Sequence, residues 1–114
     1  MRKPEYEFFP VDDVGWTPCE PGVPGMSERI LASCAETGVA TRMLRFEPGT
    51  DSSPLGVVVH DFWEEVYVLE GELYDLTLDQ GFPAGSYACR PPGMEHGPWR
   101  SEPGCVTFEV RYPA

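Results

Sequence analysis

The segment between the two histidines of the chain opens with His60-Asp61-Phe62-Trp63-Glu64 and closes with Pro91-Pro92-Gly93-Met94-Glu95-His96. Glu64 follows the first histidine by four positions. Two imidazoles and a carboxylate are the ligand set of a facial metal site with open positions. The alternative is two unrelated polar histidines near turns. The glycines and prolines around them favour the metal site, because such residues restrict and position the backbone that carries a ligand.

Short apolar or alternating runs fill this segment and extend to either side of it. They predict strands over residues 28–35, 41–46, 55–60, 65–69, 72–78, 86–90 and 105–112. Pro48-Gly49, Glu70-Gly71 and Asp79-Gln80-Gly81 are interpreted as turns between these strands. No segment has helical periodicity. The pattern predicts an all-β sandwich or barrel, for which the double-sheet jelly roll is a common solution.

The amino-acid composition is consistent with many short strands, and the net charge excludes some classes of binding partner. Gly and Pro together make 12 + 13 = 25 of the 114 residues, which suits strands joined by turns better than a helical bundle. The net charge of -11 argues against nucleic acid and against an anionic membrane surface as partners. No apolar run reaches the roughly 20 residues that a membrane span needs, and no signal-type apolar core follows the first residues. We therefore expect a cytoplasmic protein.

Two units are expected, an extended N-terminal arm over residues 1–27 and a β-barrel domain over residues 28–114. Phe8, Phe9 and Trp16 make the arm too apolar for a disordered tail, so it should pack on the barrel or on a second subunit of a homodimer. The cysteines lack CxxC spacing and are expected to be free thiols.

Two blocks of the segment resemble the motifs of the cupin superfamily. Residues 56–64, followed by six residues and Gly71, resemble the first motif. Gly85, five residues, Pro91-Pro92-Gly93, two residues and His96 resemble the second. The match covers residues 56–100. Residues 64–73 with residues 90–93 are particularly similar to the cupin domain of ChrR-type anti-sigma factors, and small dioxygenases that cleave β-diketones resemble this group too.

The resemblance implies a cupin jelly-roll barrel with one divalent metal ion held by His60, Glu64 and His96. Val58 stands where the first motif usually has another histidine, and Arg100 stands where the second often has asparagine. Three interpretations follow. The site holds Fe(II), for which three ligands suffice; it holds zinc completed by Cys89 or a water; or it is degenerate and empty. The resemblance favours a metal, with Fe(II) ahead of Zn(II).

Several further side chains are candidates for a substrate pocket, with core or subunit interface as the alternative. They are Val58, Tyr67, Tyr87, Cys89, Arg90 and Trp99. Arg90 either anchors a substrate carboxylate or enolate, or forms a structural ion pair.

The resemblance implies a metal-dependent enzyme that takes a small-molecule substrate, foremost an Fe(II) dioxygenase acting on a small dicarbonyl or phenolic ketone. The alternative from another class is a non-catalytic metal- or ligand-binding sensor like the anti-sigma cupin. A cupin isomerase or lyase is a third hypothesis. The sensor family carries a separate helical domain, and the 114 residues contain no such segment, which favours the enzyme.

Overall fold

The computed structural model describes residues 2–114, and nine antiparallel strands carry the fold. They are β1 (Thr17–Pro18), β2 (Met26–Ser33), β3 (Ala40–Phe46), β4 (Thr50–Asp51), β5 (Phe62–Asp75), β6 (Gln80–Pro83), β7 (Tyr87–Arg90), β8 (Trp99–Ser101) and β9 (Cys105–Pro113). Single 3-10 turns lie at Val11–Asp13 and Ser53–Leu55. Within residues 2–114, none of the helical segments has the length and apolar character of a membrane span.

The sheet is organised around β5, which pairs with four other strands. Its first half pairs with β7 and β9, and its second half pairs with β6 and β8. The strand order is β1-β2-β3-β9-β5-β8-β4, and the sheet curls so that its concave side encloses the interior. The predicted all-β jelly roll is confirmed.

The predicted turn at Glu70-Gly71 is wrong, because β5 runs through it. The pairing with β9 skips Leu69 and resumes at Glu70 and Gly71, so the strand contains a bulge there. Gly71 has a φ of +75°, and a Cβ on it would lie 1.8 Å from the carbonyl oxygen of Gly104. A glycine is needed for this close approach to β9 rather than for a hairpin.

The predicted strand over residues 55–60 is also wrong. Its one ladder contact is an isolated bridge between Val58 and His96, and Val57 and Val59 are exposed. The β-branched run has a strand propensity, but only Val58 finds a strand-type partner, so the segment is a loop leading to His60.

Other strands begin or end at different residues than predicted, and some short strands were not predicted. Gln80 and Gly81, predicted as part of a turn, belong to β6, and the turn lies just before them. The strands β1, β4, β6 and β8 have two to four residues each, too few for a visible periodicity. The apolar core beneath them consists of Cys19, Leu44, Phe46, Val68, Leu73 and Cys105.

The N-terminal arm runs along β2 and β3. The Trp16 ring is sandwiched between two guanidinium groups, 4.3 Å from that of Arg29 and 4.5 Å from that of Arg45. Lys3 Nζ donates a hydrogen bond of 2.8 Å to Thr41 Oγ1. Phe8 is fully exposed. The division at residue 27 between an arm and a barrel domain stays a prediction.

Candidate metal centre

His60, Glu64 and His96 meet at the inner face of β5. His60 ends the loop before β5, Glu64 lies on the strand, and His96 comes from the loop between β7 and β8. The two Nε2 atoms are 3.1 Å apart. Glu64 Oε1 lies 3.7 Å from Nε2 of His60 and 4.0 Å from Nε2 of His96. Residues 36 positions apart thus form one cluster of three ligand atoms.

Backbone and ring contacts hold the two imidazoles in this position. His96 Nδ1 lies 3.1 Å from the carbonyl oxygen of Met94 and, in the neutral ring, donates to it, which leaves the Nε2 lone pair free toward the cluster. The ring of His60 stacks on Phe62 at 4.4 Å. Val58 and His96 exchange two backbone hydrogen bonds of 2.8 and 3.0 Å, which tie the two histidine loops together.

The surroundings of both histidines favour the neutral imidazole, which is the form that binds metal ions. Burial, followed by the positive charge of Arg90 and the proximity of His60, lowers the pKa of His96 to about 4. Burial also lowers the pKa of His60, although Glu64 opposes that shift.

Glu64 is buried between two arginines from the neighbouring strands. Arg90 on β7 and Arg111 on β9 are its register partners, at 3.1 Å (Nη1 to Oε1) and 3.5 Å (Nε to Oε2). Arg90 was predicted either to anchor a substrate or to form a structural ion pair, and the structure shows its ion pair with Glu64. A second ion-pair set lies beside it, with Arg42 bound at 2.8 Å to each of Glu28 and Glu109.

The residues present fit a metal ion. Ligand atoms about 2.1 Å from one ion lie roughly 3.0 Å apart at a right angle and roughly 3.4 Å apart at a tetrahedral angle. The separation of the two imidazole nitrogens, 3.1 Å, is within this range. The carboxylate oxygen is a few tenths of an ångström too far, at 3.7 and 4.0 Å, because it is drawn toward Arg90.

An interior cavity of about 380 Å³, the metal-centre cavity, adjoins the cluster. Val58, Arg90 and Trp99 line it, as do the three predicted ligands. Tyr67 and Cys89 lie instead on the outer, exposed face of their strands, so Cys89 does not reach the cluster. Tyr87 donates its hydroxyl to Glu65 on the outer side, and it also borders a second cavity on the other side of Arg90 and Trp99.

Arg100, at the position where the second motif often has asparagine, is also away from the cluster. Its guanidinium lies over the Tyr74 ring at 5.1 Å and pairs with Glu102 at 3.4 Å.

Five charged residues that line the metal-centre cavity were not predicted from the sequence: Glu20, Glu28, Arg42, Glu109 and Arg111. On β9 the polar alternate positions face inward, whereas Val106, Phe108 and Val110 face outward. The regular alternation of Thr107, Glu109 and Arg111 was visible, but alternation alone does not say which face is buried.

Comparison with known proteins places the chain among small cupins. The family model described as ChrR Cupin-like domain matches residues 5–114. No curated protein sequence matches the chain at a significant level.

Several solved structures share the fold at low identity. An RmlC-like cupin from Shewanella frigidimarina superposes with a TM-score of 0.75 at 20% identity, covering 100% of this chain and 96% of that one. An acetylacetone dioxygenase from Acinetobacter johnsonii gives 0.73 at 17% identity, covering 96% and 74%. The anti-sigma ChrR of Rhodobacter sphaeroides, in complex with SigE, gives 0.63 at 23% identity, covering 87% and 50%. At these identities the similarity shows the fold.

Proposed function

The chain belongs to the family of ChrR cupin-like domains, and from this premise we propose that it is a metal-dependent enzyme of the dioxygenase type. Its ligands are His60, Glu64 and His96, with Fe(II) favoured and Zn(II) or another divalent ion as alternatives. The substrate is a small dicarbonyl or phenolic ketone. The likeness in fold to an acetylacetone dioxygenase supports this choice.

The observation that carries the proposal is the open side of the cluster. Two imidazoles and one carboxylate meet at the wall of the metal-centre cavity. Val58, which stands where the first cupin motif usually has another histidine, lines the same cavity and offers no ligand atom. Catalytic metal sites keep such an open position, whereas structural sites are closed by protein ligands. The cavity of about 380 Å³ is in the range of small-molecule sites.

A divalent metal at this site supplies Lewis-acid polarisation of substrate oxygens and, when it is iron, chemistry with O₂. The chain supplies the surroundings. Arg90 and Arg111 lie next to Glu64 and can compensate the negative charge of an enolate. Trp99 lies between the Arg90 guanidinium and the His96 ring, to which it is tilted by 35°, and forms part of the cavity wall.

The test is O₂ uptake by protein loaded anaerobically with Fe(II). We expect consumption of O₂ that depends on a diketone such as acetylacetone, and its loss in the His96→Ala variant. Glu65→Gln is the matched control, because Glu65 is adjacent in sequence to Glu64 but bonds the outer tyrosines Tyr87 and Tyr112. Iron-loaded protein that binds diketones but consumes no O₂ with any of a panel of ketones would contradict the enzymatic proposal.

A non-catalytic sensor is the second candidate, favoured by the family match itself and by the similarity to the anti-sigma ChrR. It shares the metal ligands but needs no turnover. Metal binding without O₂ uptake, together with a ligand-dependent change in the protein's stability, would favour this function over the enzyme.

A further inference from the structure

A second cavity lies on the other side of the residues that wall the metal-centre cavity. Its volume is about 340 Å³, and β5, β6, β7 and the turn after β5 line it. It opens to the surface beside the exposed side chains of Val57, Leu78 and Met94. Most of its lining is apolar, and the residues that matter below are Val68, Leu78, Phe82 and Ala88. We call it the apolar cavity.

The two cavities share one wall of side chains. Five residues line both spaces: Val66, Leu73, Arg90, His96 and Trp99. The Arg90 guanidinium lies 5.2 Å from the Trp99 ring centroid, and the rings of Trp99 and His96 are 5.4 Å apart. One of the proposed metal ligands thus borders the apolar cavity directly.

Two polar side chains at the apolar cavity, those of Asp75 and Thr77, have hydrogen-bond partners within the protein. Asp75 accepts hydrogen bonds of 2.9 Å from the backbone N–H groups of Thr77 and Leu78, and the Thr77 hydroxyl donates to the Gly97 carbonyl at 2.7 Å. Within residues 2–114, the buried side-chain atoms without a hydrogen-bond partner belong to Ser27, Arg45, Arg100 and Arg111. None of these four lines the apolar cavity. Water there would gain few hydrogen bonds, so the cavity suits apolar groups.

We propose that the apolar cavity binds the hydrocarbon tail of a substrate whose oxygen-bearing head lies at the cluster, with Arg90 changing rotamer to join the two spaces. This inference rests on the proposed function and narrows its substrate class to ketones and diketones with an alkyl chain of several carbons or an aryl group. Size supports it, because an apolar cavity of roughly 150 Å³ already accepts benzene, and this one is about twice as large.

The experiment measures binding of diketones of increasing length to Co(II)-loaded protein without O₂, followed by the cobalt spectrum. The probes are acetylacetone, heptane-2,4-dione and nonane-2,4-dione. Burying a methylene should tighten binding roughly fourfold, so the four additional methylenes of the longest probe should tighten it by roughly two orders of magnitude. Equal affinity for all three probes would overturn the inference and leave the proposed function standing.

Variants of two residues on β7 test whether the hydrocarbon tail binds in the apolar cavity. Ala88→Phe places a ring in the apolar cavity and should abolish the length dependence without changing metal content or acetylacetone affinity. Cys89→Phe is the matched control, because it adds the same group on the exposed face of the same strand and should preserve the length dependence. Ala88→Leu, a smaller filler, replaces Ala88→Phe if that variant does not fold. Length dependence unchanged by the folded filler variant would place the tail elsewhere.

A metal-free measurement separates this inference from the proposed function. In apoprotein, n-hexanol should shift the methyl NMR signals of Val68, Leu73 and Leu78 but not those of Val106 and Val110 on the outer face of β9. If these shifts appear, they support the apolar cavity as a binding site. If protein treated with metal also retains no metal ion, the proposed function is contradicted while the apolar site stands. Absence of the shifts would contradict the apolar site.

Discussion

At the scale of single residues, the interior of this barrel depends on paired charges as well as on apolar packing. Glu109 is buried, accepts a hydrogen bond of 2.8 Å from the Thr107 hydroxyl and pairs with Arg42 at 2.8 Å. Burial by itself would raise the pKa of Glu109, but Arg42, Thr107 and then Arg111 lower it below the ordinary value of 4.5. A carboxyl with a depressed folded pKa stabilises the fold above its ordinary pKa, and this contribution is lost as the pH falls below about 4.5.

Glu109→Gln should therefore lower the free energy of unfolding at pH 7 by roughly 2–4 kcal/mol, because Arg42 keeps only Glu28 as a partner. The difference from wild type should shrink as the pH falls below the ordinary value of 4.5 toward the lowered pKa of the folded carboxyl. Urea denaturation at several pH values measures both effects. Glu102→Gln, which removes an exposed pair with Arg100, is the control and should change stability by less than about 0.5 kcal/mol. A Glu109→Gln effect as small as the control's would refute the role assigned to this ion pair.

At the scale of elements, β5 shows why a glycine in a motif can be misread. Its bulge at Leu69 and its close approach to β9 let one strand take part in both halves of the curled sheet. A local pattern cannot distinguish this glycine from one in a hairpin, because the atom that excludes a side chain belongs to Gly104, 33 residues away in sequence.

Gly71→Ala tests this reading of β5. The variant combines an unfavourable positive φ, about 1–2 kcal/mol, with overlap against the Gly104 carbonyl, so a total loss of roughly 3 kcal/mol or more is expected. Gly38→Ala is the control, with nearly the same φ of +74° and nothing within 4 Å of the added methyl group. Thermal unfolding should show a clearly larger fall in Tm for Gly71→Ala. Equal falls would mean that the crossing with β9 does not constrain this position.

The sequence predicted those elements and residues whose signal is local. The alternation in β3 and β9 gave both strands within about one residue, and the motif spacing singled out the three residues that the structure brings together. The loop at residues 55–60 was predicted as a strand because its strand propensity is visible in the local sequence. The absence of a neighbouring strand to pair with depends on the tertiary structure, and only the bridge between Val58 and His96 forms. Arg111 and Arg42 were missed because only the register of β3, β5 and β9 shows that they face the metal-centre cavity.

At the scale of the whole molecule, the outer face of the sheet carries an uncharged row of apolar side chains. Across β7, β5, β9 and β3, register partners place Tyr87, Tyr67, Phe108 and Met43 side by side, with Tyr87 61% and Tyr67 44% exposed. The chain carries a net charge of -11, so two copies repel each other elsewhere, and this row is a face on which they can meet. We propose that a second copy of the chain covers it in a homodimer.

Tyr67→Glu should convert that dimer into monomers, because it places two like charges near the centre of the shared face. Light scattering coupled to gel filtration measures the mass. Thr37→Glu, in the exposed turn between β2 and β3, is the control and should leave the dimer intact. A monomeric wild-type protein, or an unchanged mass for Tyr67→Glu, would contradict the proposed interface.

The central claim is that His60, Glu64 and His96 hold one divalent metal ion, and metal stoichiometry tests it most directly. Untagged protein is loaded anaerobically with Fe(II) or Co(II), desalted and analysed for metal, and circular dichroism confirms that each variant is folded. We predict about one metal ion per chain in the wild type and in Glu65→Gln, and nearly none in His96→Ala and Glu64→Gln. Folded His96→Ala and Glu64→Gln variants that retain the wild-type metal content would contradict the claim.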